Sequence, residues 1–149
     1  MRYIFCLILS LIIAGDCLAQ TIYSSNRANN QIVYGNALKL FLGSKVNIEV
    51  TIKEGQFASF QVVDTVRDSS RTLSIEFGFG LMDISNNSVL IIKNPFSQDY
   101  TYKAQILRPR GASYEETSTV PVYALSMSRE IWPYTIDSIV LWDFMFTKK

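Results

Sequence analysis

Residues 130–137 read Glu-Ile-Trp-Pro-Tyr-Thr-Ile-Asp and set two acids among two aromatic rings. That combination suits recognition of a sugar or a peptide. A ring face stacks on an apolar surface while carboxylates accept hydrogen bonds from hydroxyls. Glu130, Trp132, Tyr134 and Asp137 are therefore the candidate binding residues. A structural role competes with this one: proline blocks strand pairing, and the tryptophan beside it plugs one end of a core. If Trp132 is a binding platform, Trp132→Ala weakens ligand capture and leaves the fold intact. Unfolding instead marks a plug.

Other groupings carry weaker chemistry. Glu115-Glu116 could chelate calcium or act as an acid/base pair, but adjacent residues on an extended chain point to opposite faces. The surrounding "RGASYEETS" reads as a solvated hairpin loop. Arg108-Pro109-Arg110-Gly111 offers two guanidinium forks to an anion, although its proline and glycine make it first a tight turn. Gly78-Phe79-Gly80 lacks the third glycine and the helix of a nucleotide-binding loop, and reads as a β-bulge or strand bend. Asn86-Asn87-Ser88 is a glycosylation sequon, meaningful in a eukaryotic source. No calcium-loop pattern occurs. No catalytic residue, metal ligand or cofactor is assigned.

Composition narrows the chemistry further. The chain has no histidine. That removes Ser-His-Asp and Cys-His catalysis, histidine-ligated zinc hydrolases and facial-triad iron sites. Any enzyme here must run on carboxylates, Lys, Tyr, Ser or oxygen-bound metals. The formal net charge is +1, with no basic excess for nucleic acid or an anionic membrane.

The N-terminus reads as an address. Met1-Arg2-Tyr3 is a short basic n-region, Ile4 to Ala14 is apolar apart from Ser10, and Cys17 and Ala19 stand at −3 and −1 of a cleavage site. This is the pattern of a secretory signal peptide over residues 1–19, cut between Ala19 and Gln20. The apolar stretch is well short of the ~20 residues that a spanning helix needs, so no membrane span is expected after its removal. Acylation of Cys17 is the alternative, disfavoured by Asp16 just before it. Both cysteines, Cys6 and Cys17, leave with the signal, so the exported chain is disulfide-free. Residues 20–31 read as a flexible polar leader and 32–149 as one domain, long enough for a core without staples.

The elements that must hold these residues have period two. "KVNIEVTIK" (45–53), "TLSIEFGF" (72–79) and "YTYKAQI" (100–106) alternate apolar and polar residues, as half-buried strands do. "ALKLFL" (37–42), "FASFQVV" (57–63), "SVLIIK" (88–93), "TVPVYAL" (119–125) and "SIVLWDFMF" (138–146) are less regular but β-like. Turn residues punctuate them at Gly43-Ser44, Glu54-Gly55, Asp68-Ser69-Ser70 and Asn94-Pro95. No window carries a capped helical stripe. The expected fold is all-β, an immunoglobulin-like antiparallel β-sandwich of about 7–9 short strands. "VLIIK" and "IVLWDFMF" are apolar on both faces, which implies that a loop or a partner covers the outer one. Most strands are too short for a membrane barrel.

"NPFSQDYTYKAQI" (94–106), "TVPVYAL" and "EIWPYTIDSIVLWDF" (130–144) resemble small uncharacterised exported β-sandwich proteins of Gram-negative bacteria. The resemblance implies a fold and a periplasmic or secreted location, and carries over no activity and no site residue. The expected function is a non-catalytic binding or adaptor module with a protein or glycan partner in the cell envelope. One alternative is a small carboxylate-dependent enzyme acting on glycans, drawing on Glu115, Glu116, Glu130, Asp137 and Asp143. The other is an assembly subunit that pairs through an exposed β edge.

Overall fold

In β3 (Ser44–Lys53), Val46, Ile48 and Val50 are buried while Lys45, Asn47, Glu49 and Thr51 lie on the other face. The computed structural model describes residues 32–80 and 87–147, and this alternation recurs through them. The segments read as a signal peptide and a leader, the sequon residue Asn86 and the last two lysines lie outside the described residues. The other strands are β1 (Ile32–Tyr34), β2 (Ala37–Phe41), β4 (Gln56–Val63), β5 (Thr72–Phe79) and β6 (Ser88–Lys93). They are followed by β7 (Tyr100–Leu107), β8 (Glu115–Thr117), β9 (Met127–Trp132) and β10 (Ser138–Phe146).

Two five-stranded antiparallel sheets result, in the orders β1-β2-β10-β7-β8 and β4-β3-β5-β6-β9. Leu38, Leu40, Ala104, Ile106, Ile139 and Leu141 of the first sheet share one buried core with Val46, Ile48, Val50, Leu73, Ile75, Phe77, Leu90 and Ile92 of the second. The fold is an antiparallel β-sandwich, held by removal of these two apolar faces from water.

The described residues form ten strands, where about seven to nine were expected. β1 and β8 have three residues each, too few to show a period. β8 takes up part of "RGASYEETS", and β9 runs into the stretch whose tryptophan read as a plug at one end of the core. "TVPVYAL" is not a strand: only Val122 bridges to Tyr100, while side chains of Asn94 and Asp99 hold the carbonyl of Tyr123 and the amide of Ala124. Gly78-Phe79-Gly80 is not a bulge either. The β5–β6 register runs unbroken through Gly78↔Val89 and Phe79↔Ser88.

The turn between β3 and β4 and the bulge in β10 complete this frame. Glu54 (φ 52°) and Gly55 (φ 72°) both take the left-handed region, the two-residue hairpin turn whose twist matches its strands. In β10 the register shifts between Trp142 and Met145, and Asp143 takes φ 55°. The shift moves the inward positions from Ile139 and Leu141 to Phe144 and Phe146. This change of phase is why "IVLWDFMF" looked apolar on both faces. Phe144 and Phe146 then join Phe57, Phe60, Phe96 and Tyr100 in an aromatic cluster that seats β4 of one sheet against β10 of the other, with ring centroids 4.4–6.4 Å apart.

Candidate functional site

Strand β9 carries half of the residues first singled out, and alternation divides them from their neighbours. Glu130 and Trp132 turn inward; Met127, Arg129 and Ile131 turn outward. The Glu130 carboxylate accepts hydrogen bonds from the Tyr102 hydroxyl and from the Val120 amide at 3.0 Å. Trp132 is buried, and its indole N–H donates to Thr117 Oγ1 at 3.0 Å. Both residues therefore tie β9 across the gap to the other sheet and the segment after β8.

Tyr134 and Asp137 belong to the short connection into β10. The Tyr134 ring packs on the core edge beneath the Arg108 guanidinium, 4.3 Å from its centroid, and its carbonyl accepts from the Ser88 amide. Asp137 is anchored through its backbone: its N–H donates to the Leu107 carbonyl and its carbonyl accepts from the Leu42 amide. Ser88 Oγ accepts from the Ile136 amide at 2.8 Å. The connection is clipped to three neighbouring elements, and with Glu130 and Trp132 facing inward the four candidates do not share an open face.

Burial raises the Glu130 carboxyl above the ordinary glutamate range, partly offset by the hydrogen bonds from Tyr102 and Val120. Burial also pushes the Tyr102 phenol up, with the Glu130 charge adding to it. A carboxyl with a raised folded-state pKa favours the native state in acid, and that contribution is lost as pH rises through the raised value. Glu130→Gln keeps an acceptor for both donors and carries no proton equilibrium. Its stability relative to the native sequence is expected to be higher at about pH 7 than at about pH 4. Urea-unfolding midpoints across that range measure the difference, and a flat difference would refute the assignment.

The remaining acids have separate duties. Glu115 pairs with Arg108 at 3.3 Å and Asp143 with Lys103 at 2.8 Å, and the Glu116 charge also acts on Lys103. Arg108–Gly111 is a tight turn closed by Gly111 N–H to Arg108 carbonyl at 2.9 Å. Among the described residues no group of three acids could hold a metal ion, and no helix is long and apolar enough to cross a membrane.

The outer face of the second sheet carries a feature that the candidate list missed. Gly78, Val89 and Ile131 form one row across β5, β6 and β9, and Glu76, Ile91 and Arg129 form the next. Together with Phe79, Gly80 and Asn87 they line a groove of about 430 Å³. Phe79 and Ile131 are mostly exposed. The one signal for it in the sequence was "VLIIK", whose second apolar face this is.

β9 is also an open edge. The bond from Asn94 N–H to the Ser126 carbonyl sets the phase of the β6–β9 ladder, so even-numbered residues of β9 bond to β6. Met127, Arg129 and Ile131 consequently turn their N–H and C=O groups away from β6, with no hydrogen-bond partner among the described residues. Of the other edges, β1 and β8 have three residues each, and the longer β4 is bridged at one point, where the Phe60 amide donates to the Gly35 carbonyl at 2.8 Å. Comparison of the chain with family models, curated proteins and solved structures finds no match.

Proposed function

We propose that the protein is an exported, non-catalytic binding module of the cell envelope that takes up an extended partner segment along β9. Export rests on the signal-like residues 1–19, with release after Ala19 into the periplasm or the medium. The observation that carries the binding mode is the edge itself. β9 has six residues, no register shift, and an alternation of Met127, Arg129 and Ile131 on its outer side. Natural sheets protect such edges with short strands, bulges, proline or a covering loop, and strand addition is how an unprotected one is used.

Proline at position 129 removes an outward N–H that has no partner among the described residues, and edge strands tolerate proline there. With immobilised residues 20–149 and envelope extract, Arg129→Pro is expected to abolish retention of the partner while thermal unfolding stays near that of the native sequence. A retained set unchanged by Arg129→Pro would sink the reading. If the partner is a second copy of the chain, sedimentation shows concentration-dependent association that the same substitution removes.

A further inference from the structure

An outward face of a solvated antiparallel sheet is ordinarily polar. On β6 it is not: Val89 and Ile91 form the floor of the groove between Gly78 of β5 and Ile131 of β9. Its volume of about 430 Å³ falls in the ~300–1,000 Å³ range of small-molecule sites.

Gly78 shows why the floor is open. It lies inside β5 in unbroken register, and its φ is outside the left-handed region that favours glycine. A Cβ built at Gly78 would meet nothing within 4 Å. Neither backbone conformation nor packing within the described residues calls for glycine here, although glycine weakens a strand. Among the described residues no side chain fills this place, and an interior strand glycine marks a place where a ligand or another backbone comes close.

The charges at one end of the groove select the ligand. Glu76 already has a counterion in Lys45 at 3.5 Å. Arg129, on the same row two strands away, has no ion pair among the described residues. A cation beside an apolar trough matches a molecule that joins an apolar body to an anionic head. We propose that this groove binds an anionic amphiphile, its alkyl or aryl part lying over Gly78 and Val89 between Phe79 and Ile131, and its anionic head held by the Arg129 guanidinium. The site uses the side chains of Arg129 and Ile131 where strand addition uses their backbone, so Arg129→Gln, which keeps the N–H, tests this site apart from the edge.

Dodecanoate, kept below its micelle concentration and titrated into residues 20–149, is the probe, with binding followed amide by amide by NMR. The expected result is one saturable site with shifts concentrated at Gly78, Val89, Ile91 and Ile131. Neutral dodecanol is expected to bind about tenfold more weakly, and Arg129→Gln to weaken dodecanoate by a similar factor, as for loss of one charge-assisted hydrogen bond. Gly78→Val fills the floor, so dodecanoate binding is lost while the melting temperature holds or rises. Ile131→Ser, at an exposed wall position, weakens binding and serves as the second variant. The proposal is overturned if dodecanol binds the native sequence as tightly as dodecanoate, or if folded Gly78→Val and Ile131→Ser bind unchanged. It is equally overturned by shifts that spread without saturating, or by binding to vesicles of anionic phospholipid with none to monomeric dodecanoate.

Discussion

Replacing Asn94 by aspartate is expected to destabilise the protein by about 3–5 kcal/mol near neutral pH and by clearly less in acid. Asn94 is 2% exposed. Its Nδ2 donates to the carbonyls of Gln98 at 3.0 Å and Tyr123 at 2.9 Å, and lies 3.4 Å from that of Val122, while its Oδ1 accepts from the Phe96 amide at 2.8 Å. One amide thereby pins the β6–β7 connection to the strand-like segment before β9. Aspartate keeps the size and the Oδ1 acceptor but turns the donor into a second oxygen facing carbonyl oxygens. Burial and those oxygens raise the pKa of the new carboxyl above its ordinary value, so its penalty grows as pH rises through the raised value. Asn94→Ala loses the same bonds without a charge, and its cost is expected to stay level with pH. Urea unfolding of both variants at about pH 4 and about pH 7 tests this. An aspartate penalty that does not grow with pH overturns the electrostatic account.

Period two made the central strands legible. Where Val46, Ile48 and Val50 alternate with polar partners, the strand, its buried face and the sandwich follow from side-chain geometry. Residues whose fate depends on distant contacts were not legible. Asn94 looked like turn chemistry because its carbonyl partners lie up to 29 positions away. "TVPVYAL" has β-prone composition, yet side-chain bonds from Asn94 and Asp99 hold it off a regular ladder. β8 is too short for any period to appear. In the candidate site the residue types were noticed and their direction was not. Glu130, Trp132, Tyr134 and Asp137 drew attention because acids and rings can do chemistry, but a strand sends alternate residues to opposite faces. Ile131, the unremarked residue between two of them, is the one that reaches the groove. The apolar second face of "VLIIK" was visible, while its two neighbours, Gly78 and Arg129, are brought to it only by pairing on either side.

Trp132→Ala is expected to destabilise the fold by about 3–5 kcal/mol, the cost of truncating a large buried ring. Trp132 is 6% exposed, packs in the sandwich core, and spends its indole N–H on Thr117 Oγ1 at 3.0 Å. The Ala variant loses the ring contacts and leaves the threonine hydroxyl without its donor. Trp132→Phe keeps most of the apolar volume and loses the bond, so a smaller cost of about 1–2 kcal/mol is expected. The neighbour supplies the control. Ile131 is 59% exposed, and Ile131→Ser is expected to change stability by no more than about 1 kcal/mol. Adjacent residues of one strand should thus differ several-fold in their effect on folding, in the opposite order to their effect on dodecanoate binding. Denaturant unfolding gives the first ordering and amide titration the second. If Trp132→Ala instead folds within about 1 kcal/mol of the native sequence and loses a ligand, the ring is a surface platform. The inward–outward division of β9 on which both proposed sites depend would then have to be reversed.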